Sequence, residues 1–380
     1  MPDKEWLTVD EQIELLKQRG LYTTNDYDFI EEYLEEFGYY EIINGYREPF
    51  VAEGTPDTFK PNTQFKDIAM LFMYDQNLRD ATMSTIEMFE LSLRQSVARA
   101  FGTAHGENQQ EYLNMQNYRA PKNPHTLQNL VKNLAELAYA NNDQPFEHYR
   151  NTYGNVPPWI AVKGLEFWAL KTWYSLLERD QKILVINDML SDKFLKEHSE
   201  KKALEFFGNA LQLVHQIRNR VAHAGRIYNY FPTDAKTNKP FIKYDSSFHQ
   251  SIKVTPALWR QGIGTGGLWI MMHFFGMLRS NRAFYSLSKA FSDLTHEYVS
   301  TYPDIYEFLL KEMRIPSNDD QMNEIYFLVL IESLNGQTID NFMTISTSIK
   351  DQLFFYSNRI LISKYKQKNW IQFPKITINK

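Results

Sequence analysis

From Thr63 to Phe101 the chain keeps one helical pattern, and Gly102 ends it. Ile68, Leu71, Phe72, Leu78, Met83, Ile86, Phe89, Leu93 and Val97 fall on one apolar stripe. A stripe of that length has to be covered by other elements, and this constrains the fold more than any other stretch. The run is long enough to be two helices joined near Asn77.

The remaining punctuation is also helical. Thr8-Val9-Asp10-Glu11 reads as a capping box, and the helix after it stops at Gly20. A second helix starts at Asn25 or Asp26, carries Phe29, Ile30, Tyr33, Leu34 and Phe37, and stops at Gly38. Residues 51–62 read as a Pro/Gly/Thr loop. A helix is expected from about Thr126 to Tyr139. Pro157-Pro158 opens another, which carries Ile160, Leu165, Phe167, Leu170, Trp173, Leu176 and Leu177. Residues 181–195 read as helical, and Ser199 begins a helix that reaches Ala224 before Gly225. Residues 230–250, with Pro232 and Pro240, are the best candidate boundary; if the chain holds a small hairpin, it belongs there. Helical patterns resume at 268–298, 303–313, 320–334 and 341–362. The expected fold is all-α, in three parts: an N-terminal helical segment (1–62), a helical domain (63–230) and a C-terminal helical region (250–380).

Composition narrows the function. The hydrophobic fraction of 43% supplies a substantial core. Absence of cysteine excludes disulfides, Cys-ligated zinc and a thiol nucleophile. The histidines show no ligand spacing with Asp or Glu, so neither a metal nor another cofactor is expected. The polar N-terminus and the short apolar run Leu268–Phe275, interrupted by His273, lead to the expectation of a cytoplasmic protein with no membrane partner.

The best candidate for chemistry is Arg218-Asn219-Arg220-Val221-Ala222-His223, near a helix end. Asn219 and His223 lie four apart on one face, with Arg218 beside them. Cleavage of RNA without a metal needs a base for the 2′-hydroxyl, an acid for the leaving 5′-oxygen and a cation for the phosphate. His223 can serve as base or acid, Arg218 can bind phosphate and Asn219 can orient either. Two other Arg/His pairs fall within the range of spacings the motif allows. Arg119…His125 contains two prolines and cannot be helical, and Arg99…His105 runs through Gly102 off a helix end.

The stretch Arg218 to Asn229 resembles the signature of the Abi-like (abortive infection) proteins of the HEPN superfamily, whose motif is Arg, a polar residue, three to five more and then His. Other blocks agree in order. Gly38-Tyr39-Tyr40 with Asn44-Gly45-Tyr46-Arg47-Glu48-Pro49-Phe50 resembles the family's N-terminal segment. Tyr74-Asp75 with Leu78-Arg79, then Ile86-Glu87 with Leu93-Arg94, resembles its central helix, and Pro157-Pro158-Trp159 resembles its Pro-x-Trp helix. The likeness spans about residues 10–230. Ala224 and Gln76 depart from it without touching Arg218, Asn219 or His223. It implies an all-α domain that dimerises through the motif helices into a composite RNase cleft, and antiphage defence by metal-independent RNA cleavage. It further implies RNA as partner, both as substrate and as a restraining noncoding RNA. For Arg79, Glu87 and Arg94 it suggests a supporting or dimer role, where a solvated or ion-paired helix face is the plainer reading.

Arg220, Arg226 and Tyr228, just past or within the motif, are candidate RNA contacts. So are Lys364, Lys366 and Lys368 in a tail, residues 359–380, that holds six Lys or Arg and no acid. Residues 26–48 hold eight acids against Arg47 alone, so the net charge of -5 is an average over opposed regions. The glycines of Gly262–Gly267 read as a flexible helix entry rather than a phosphate cradle. Competing functions are a non-catalytic RNA-binding scaffold using the same residues, and a helical protein–protein adaptor.

Overall fold

The structure is a computed structural model that describes residues 6–23 and 26–317. Residues 1–329 form one compact unit and 330–380 a second. The second unit lies outside the described residues, as do the expected helices at 320–334 and 341–362 and the tail lysines Lys364, Lys366 and Lys368.

The chain is all-α. Thr8 and Glu11 close their capping box at the start of α1 (Val9–Gln18), and α2 (Tyr27–Phe37) follows. The hairpin lies elsewhere than expected. β1 (Val51–Ala52) pairs antiparallel with β2 (Thr55–Phe59), in the stretch read as a loop, because Gly54 supplies the left-handed turn between them. In 230–250 there is one isolated bridge, Thr233 to Pro240; prolines lack the N–H that a ladder needs.

The apolar stripe belongs to α3 (Phe65–His105), one unbroken helix of 41 residues, about 60 Å long. Asn77 does not divide it. A single exposed Asn costs a few tenths of a kcal/mol in propensity, which burial on both sides of it outweighs. Every residue of the stripe is buried except Met83, which is half-buried. Five elements follow α3: α4 (Gln109–Leu113), α5 (Pro124–Tyr139), α6 (Phe146–Tyr153), α7 (Pro158–Ala161) and α8 (Phe167–Leu176). Then come α9 (Arg179–Met189), α10 (Asp192–Glu197) and α11 (Glu200–Ala222). The last are α12 (Ser246–Ser251), α13 (Pro256–Arg260), α14 (Gly267–Gly276), α15 (Arg282–Thr301) and α16 (Tyr306–Glu312).

α15 lies along α3, α9 and α11 pack on it too, and α14 packs against both α11 and α15. Tyr74 of α3 stacks on Tyr298 of α15 at 5.1 Å and bonds to Thr295 at 2.9 Å. Phe89 meets Phe274 and Phe275 of α14. Elements on either side of 230–250 therefore share one core.

The helix expected from Pro157 to Leu177 is broken into α7, a 3-10 turn at Val162–Gly164 and α8. Gly164 explains the break: a Cβ there would lie 2.3 Å from Leu137 and 2.9 Å from Phe146, so the backbone presses onto α5 and α6. Two carbonyls at the break, those of Val162 and Leu165, both accept from the Arg94 guanidinium.

One buried carboxylate joins three distant segments. Asp75 of α3 is fully buried. Its Oδ2 accepts from Tyr46 Oη at 2.8 Å and from Arg79 at 2.5 Å. Its Oδ1 accepts from the backbone N–H groups of Ile227 at 3.0 Å and Tyr228 at 2.9 Å. Arg226 adds a bond to the carbonyl of Gly45 and covers the rings of Tyr46 and Tyr228. The segment leaving α11 is thus tied to both α3 and the N-terminal region. Removing one partner of a buried pair strands the other charge. Asp75→Ala should therefore lower unfolding free energy in urea by about 3–5 kcal/mol; a loss under about 1 kcal/mol would mean the pair is not a structural anchor.

Candidate functional site

α11 buries Phe207, Leu211, Val214, Ile217 and Val221 and turns its other side outward. Its end is sharply made. Gly225 N–H donates to the Arg220 carbonyl and Ala224 N–H to that of Val221, with Ala224 itself left-handed at φ 53°. This is the double-bonded C-terminal turn that normally places glycine where Ala224 stands. Arg220 folds over Gly225, where a Cβ would lie 2.4 Å from its Nε; that Nε donates to the Arg226 carbonyl, and the guanidinium covers Tyr230 at 5.2 Å. His223 is the capping residue, its backbone N–H bonded to the Asn219 carbonyl. Its imidazole is exposed on a fixed helix end.

A polar chain crosses from α8 to the motif. Lys171 Nζ lies 2.8 Å from Gln212 Oε1 and 3.1 Å from His215 Nδ1. The His215 ring lies parallel to Phe167, and its Nε2 meets the Asn219 side-chain amide at 3.3 Å. Proton counting sets the roles. An ammonium only donates, so Nδ1 is the bare nitrogen and Nε2 carries the proton. The Asn219 Nδ2 is the atom placed there, and a ring N–H needs an acceptor, so we assign the amide flipped, with its oxygen toward His215 and its NH2 group outward. Burial, reinforced by Lys171 and Arg218, pushes His215 down to about 4 and keeps the ring neutral. Burial alone pushes Lys171 down to about 8.

His215, Asn219 and His223 thus share one face of α11, and the structure links the first two directly. Arg218 is half-buried and close enough to His215 to influence it. Among the described residues neither Arg218 nor the His223 imidazole has a hydrogen bond or ion pair, and no contact joins them. The other Arg/His pairs are engaged. Arg99 pairs with Asp188 and His105 meets Gln181, while His125 meets Gln128.

Several expected contacts prove structural. Tyr228 is 1% exposed, packed against Tyr46 and Phe308, and so cannot be the surface stacking platform expected of it. Arg226 and Arg220 both brace the exit turn, although Arg220 remains exposed. Arg79 is buried on Asp75 and supports the motif from behind, through Ile227 and Tyr228. Arg94 pairs with Glu90 and holds the α7–α8 break, whereas Glu87 is exposed. Gly264 to Leu268 are buried, so that loop is no open cradle. Lys171 and Gln212 were not anticipated: no sequence spacing links a lysine on α8 to a histidine 44 residues later. A groove of about 490 Å³ on α3, lined by Met88, Leu91, Gln95 and Arg99 and closed by Leu278 and Arg279, contains no motif residue. Among the described residues no three His, Asp or Glu side chains gather as metal ligands, and no helix is long and apolar enough to cross a membrane.

An all-α unit with a polar motif at the end of a core helix is the class that fold and site define. The family of Abi-like proteins matches residues 32–229, from α2 to the segment held by Asp75, and the chain belongs to that family. Membership suggests abortive infection. No curated protein and no solved structure matches the chain.

The neutral buried His215 has a consequence for stability. Its folded value lies below its ordinary 6.5, so between pH 6.5 and about 4 the unfolded chain binds the extra proton and acid favours unfolding. His215→Gln should lose less stability than the parent across that window in pH-dependent thermal melts. Identical pH profiles would contradict the neutral-histidine assignment.

Proposed function

We propose that the protein is an endoribonuclease that cuts RNA without a metal ion and acts as an abortive-infection toxin in the cytoplasm. The observation that carries this reading is the end of α11: an exposed imidazole, His223, and a guanidinium, Arg218, neither bonded among the described residues, on a rigidly capped helix. His223 would exchange the proton of the 2′-hydroxyl or the leaving oxygen, Arg218 would hold the phosphate, and Asn219 would orient either. The resemblance to the HEPN motif and the family membership both favour this chemistry.

Positions 218 and 223 lie about 140° apart around a helix at 100° per residue. One copy of α11 does not turn both toward a single phosphate. Two copies facing each other can pair Arg218 of one with His223 of the other, which supports a homodimer with a composite cleft. RNA is then the partner, as substrate and as a regulatory noncoding RNA.

Both side chains lie outside the core, so their removal should leave the fold intact. Arg218→Ala and His223→Ala should each reduce cleavage of RNA in EDTA by at least about 100-fold, with melting midpoints unchanged, and should abolish growth arrest on induction. A double variant as toxic as the parent would overturn the reading. A parent that binds RNA through these residues and never cuts it would favour the scaffold function instead.

A further inference from the structure

Outside the motif, four features stand out: the α3 groove, the His198–Asp245–His249 cluster, the glycine loop and the Lys171 chain. The groove has nothing to say what covers it. His198 and His249 spend their ring nitrogens on Asp245 and on the carbonyls of Phe194 and Gly264, which fastens α10, α12 and the loop together. Lys171 is different, because its surroundings are incomplete.

Lys171 makes two bonds, to Gln212 and His215, and an ammonium has three N–H groups. Among the described residues no carboxylate pairs with Lys171, and none pairs with Arg218. Both cations bear on the same imidazole, and no acid offsets them there. Half-buried cations are ordinarily matched by an acid. Lys171 on one side of a neutral histidine and the Asn219 amide on the other, with Arg218 nearby, make a donor set with no acid in it among the described residues. Such a set suits one phosphodiester, whose oxygens can be met from two sides.

We propose that Lys171 and Asn219 form an anion subsite around His215 that takes a backbone phosphate of a single RNA strand, next to the phosphate handled by Arg218 and His223. The proposal rests on the reading of the α11 face as an RNA site. Lys171 contributes binding and register, not proton transfer. His215 is the hub that sets the spacing of the two donors and stays uncharged. The subsite follows the strand on the α8 side of the motif, so it selects for chain length rather than for a base.

The test uses a short, fluorescently labelled 2′-O-methyl RNA strand, which has no free 2′-hydroxyl and cannot be cut, with and without a terminal phosphate. Lys171→Met keeps the buried stem and removes the charge. It should weaken binding roughly tenfold at low salt and lower the slope of log affinity against log salt by about 0.7, as expected for one lost phosphate contact. Lys171→Arg should restore most of both. In the parent protein, the His215 ring resonance should move as the strand is added, a readout that needs no variant. Equal effects with and without the terminal phosphate indicate an internal phosphodiester; an effect confined to the phosphorylated strand would overturn it. Parental affinity and salt slope in Lys171→Met, or a His215 resonance that stays still at saturation, would also overturn it. Cleavage of ordinary RNA by a protein that fails these tests would leave the nuclease reading standing. Lys171-dependent binding by a protein that cuts nothing would leave the subsite standing without it.

Discussion

The carboxylate of Asp75 is the interaction on which the rest depends. It is fully buried, and it accepts from Tyr46, Arg79 and the amides of Ile227 and Tyr228. A buried charge is tolerable only when its lone pairs are filled, and here they are filled from its own helix and from two remote parts of the chain. The exit of α11 cannot drift away from α3 without leaving donors and acceptors unpaired in the core. The helix end that carries His223 is therefore fixed by a bond network behind it, not by contacts of the imidazole itself. Arg220, Gly225 and Arg226 complete the fixation on the outer side.

That division of labour explains the surface. Residues around the motif that can brace do so, and the few that remain are unbonded or half-satisfied. Lys171 and His215 hold Asn219 from the α8 side, while burial keeps His215 neutral between two cations. The result is two cations, Lys171 and Arg218, without an acid partner among the described residues, on a chain whose net charge is -5. Local geometry, and not the sum of charges, decides whether a polyanion is attracted.

Much of this was legible in the sequence, for identifiable reasons. The α3 stripe, the Thr8 capping box and the end of α11 at Gly225 follow from periodicity and end signals, which are local. The blocks around Tyr46, Asp75 and Arg226 could be seen in order, but that they converge on one carboxylate could not. A hydrogen bond between residues some 150 positions apart leaves no spacing to read. The break at Gly164 was hidden for a similar reason, since it is set by Leu137 and Phe146 pressing from other helices. The hairpin at 51–59 was missed because its strands are too short to alternate. Tyr228 was misplaced because an aromatic next to a polar motif reads as surface, while the backbone amides that Asp75 takes draw it inside. Lys171 carried no signal at all.

The central claim is that the α11 face cuts RNA by attack of the 2′-hydroxyl on the adjacent phosphate. The most direct measurement is the chemistry of the ends left on a defined RNA incubated with the purified protein in EDTA. The account expects 2′,3′-cyclic phosphate on the upstream product and a 5′-hydroxyl on the downstream one. Upstream products ending in a 3′-hydroxyl would contradict it.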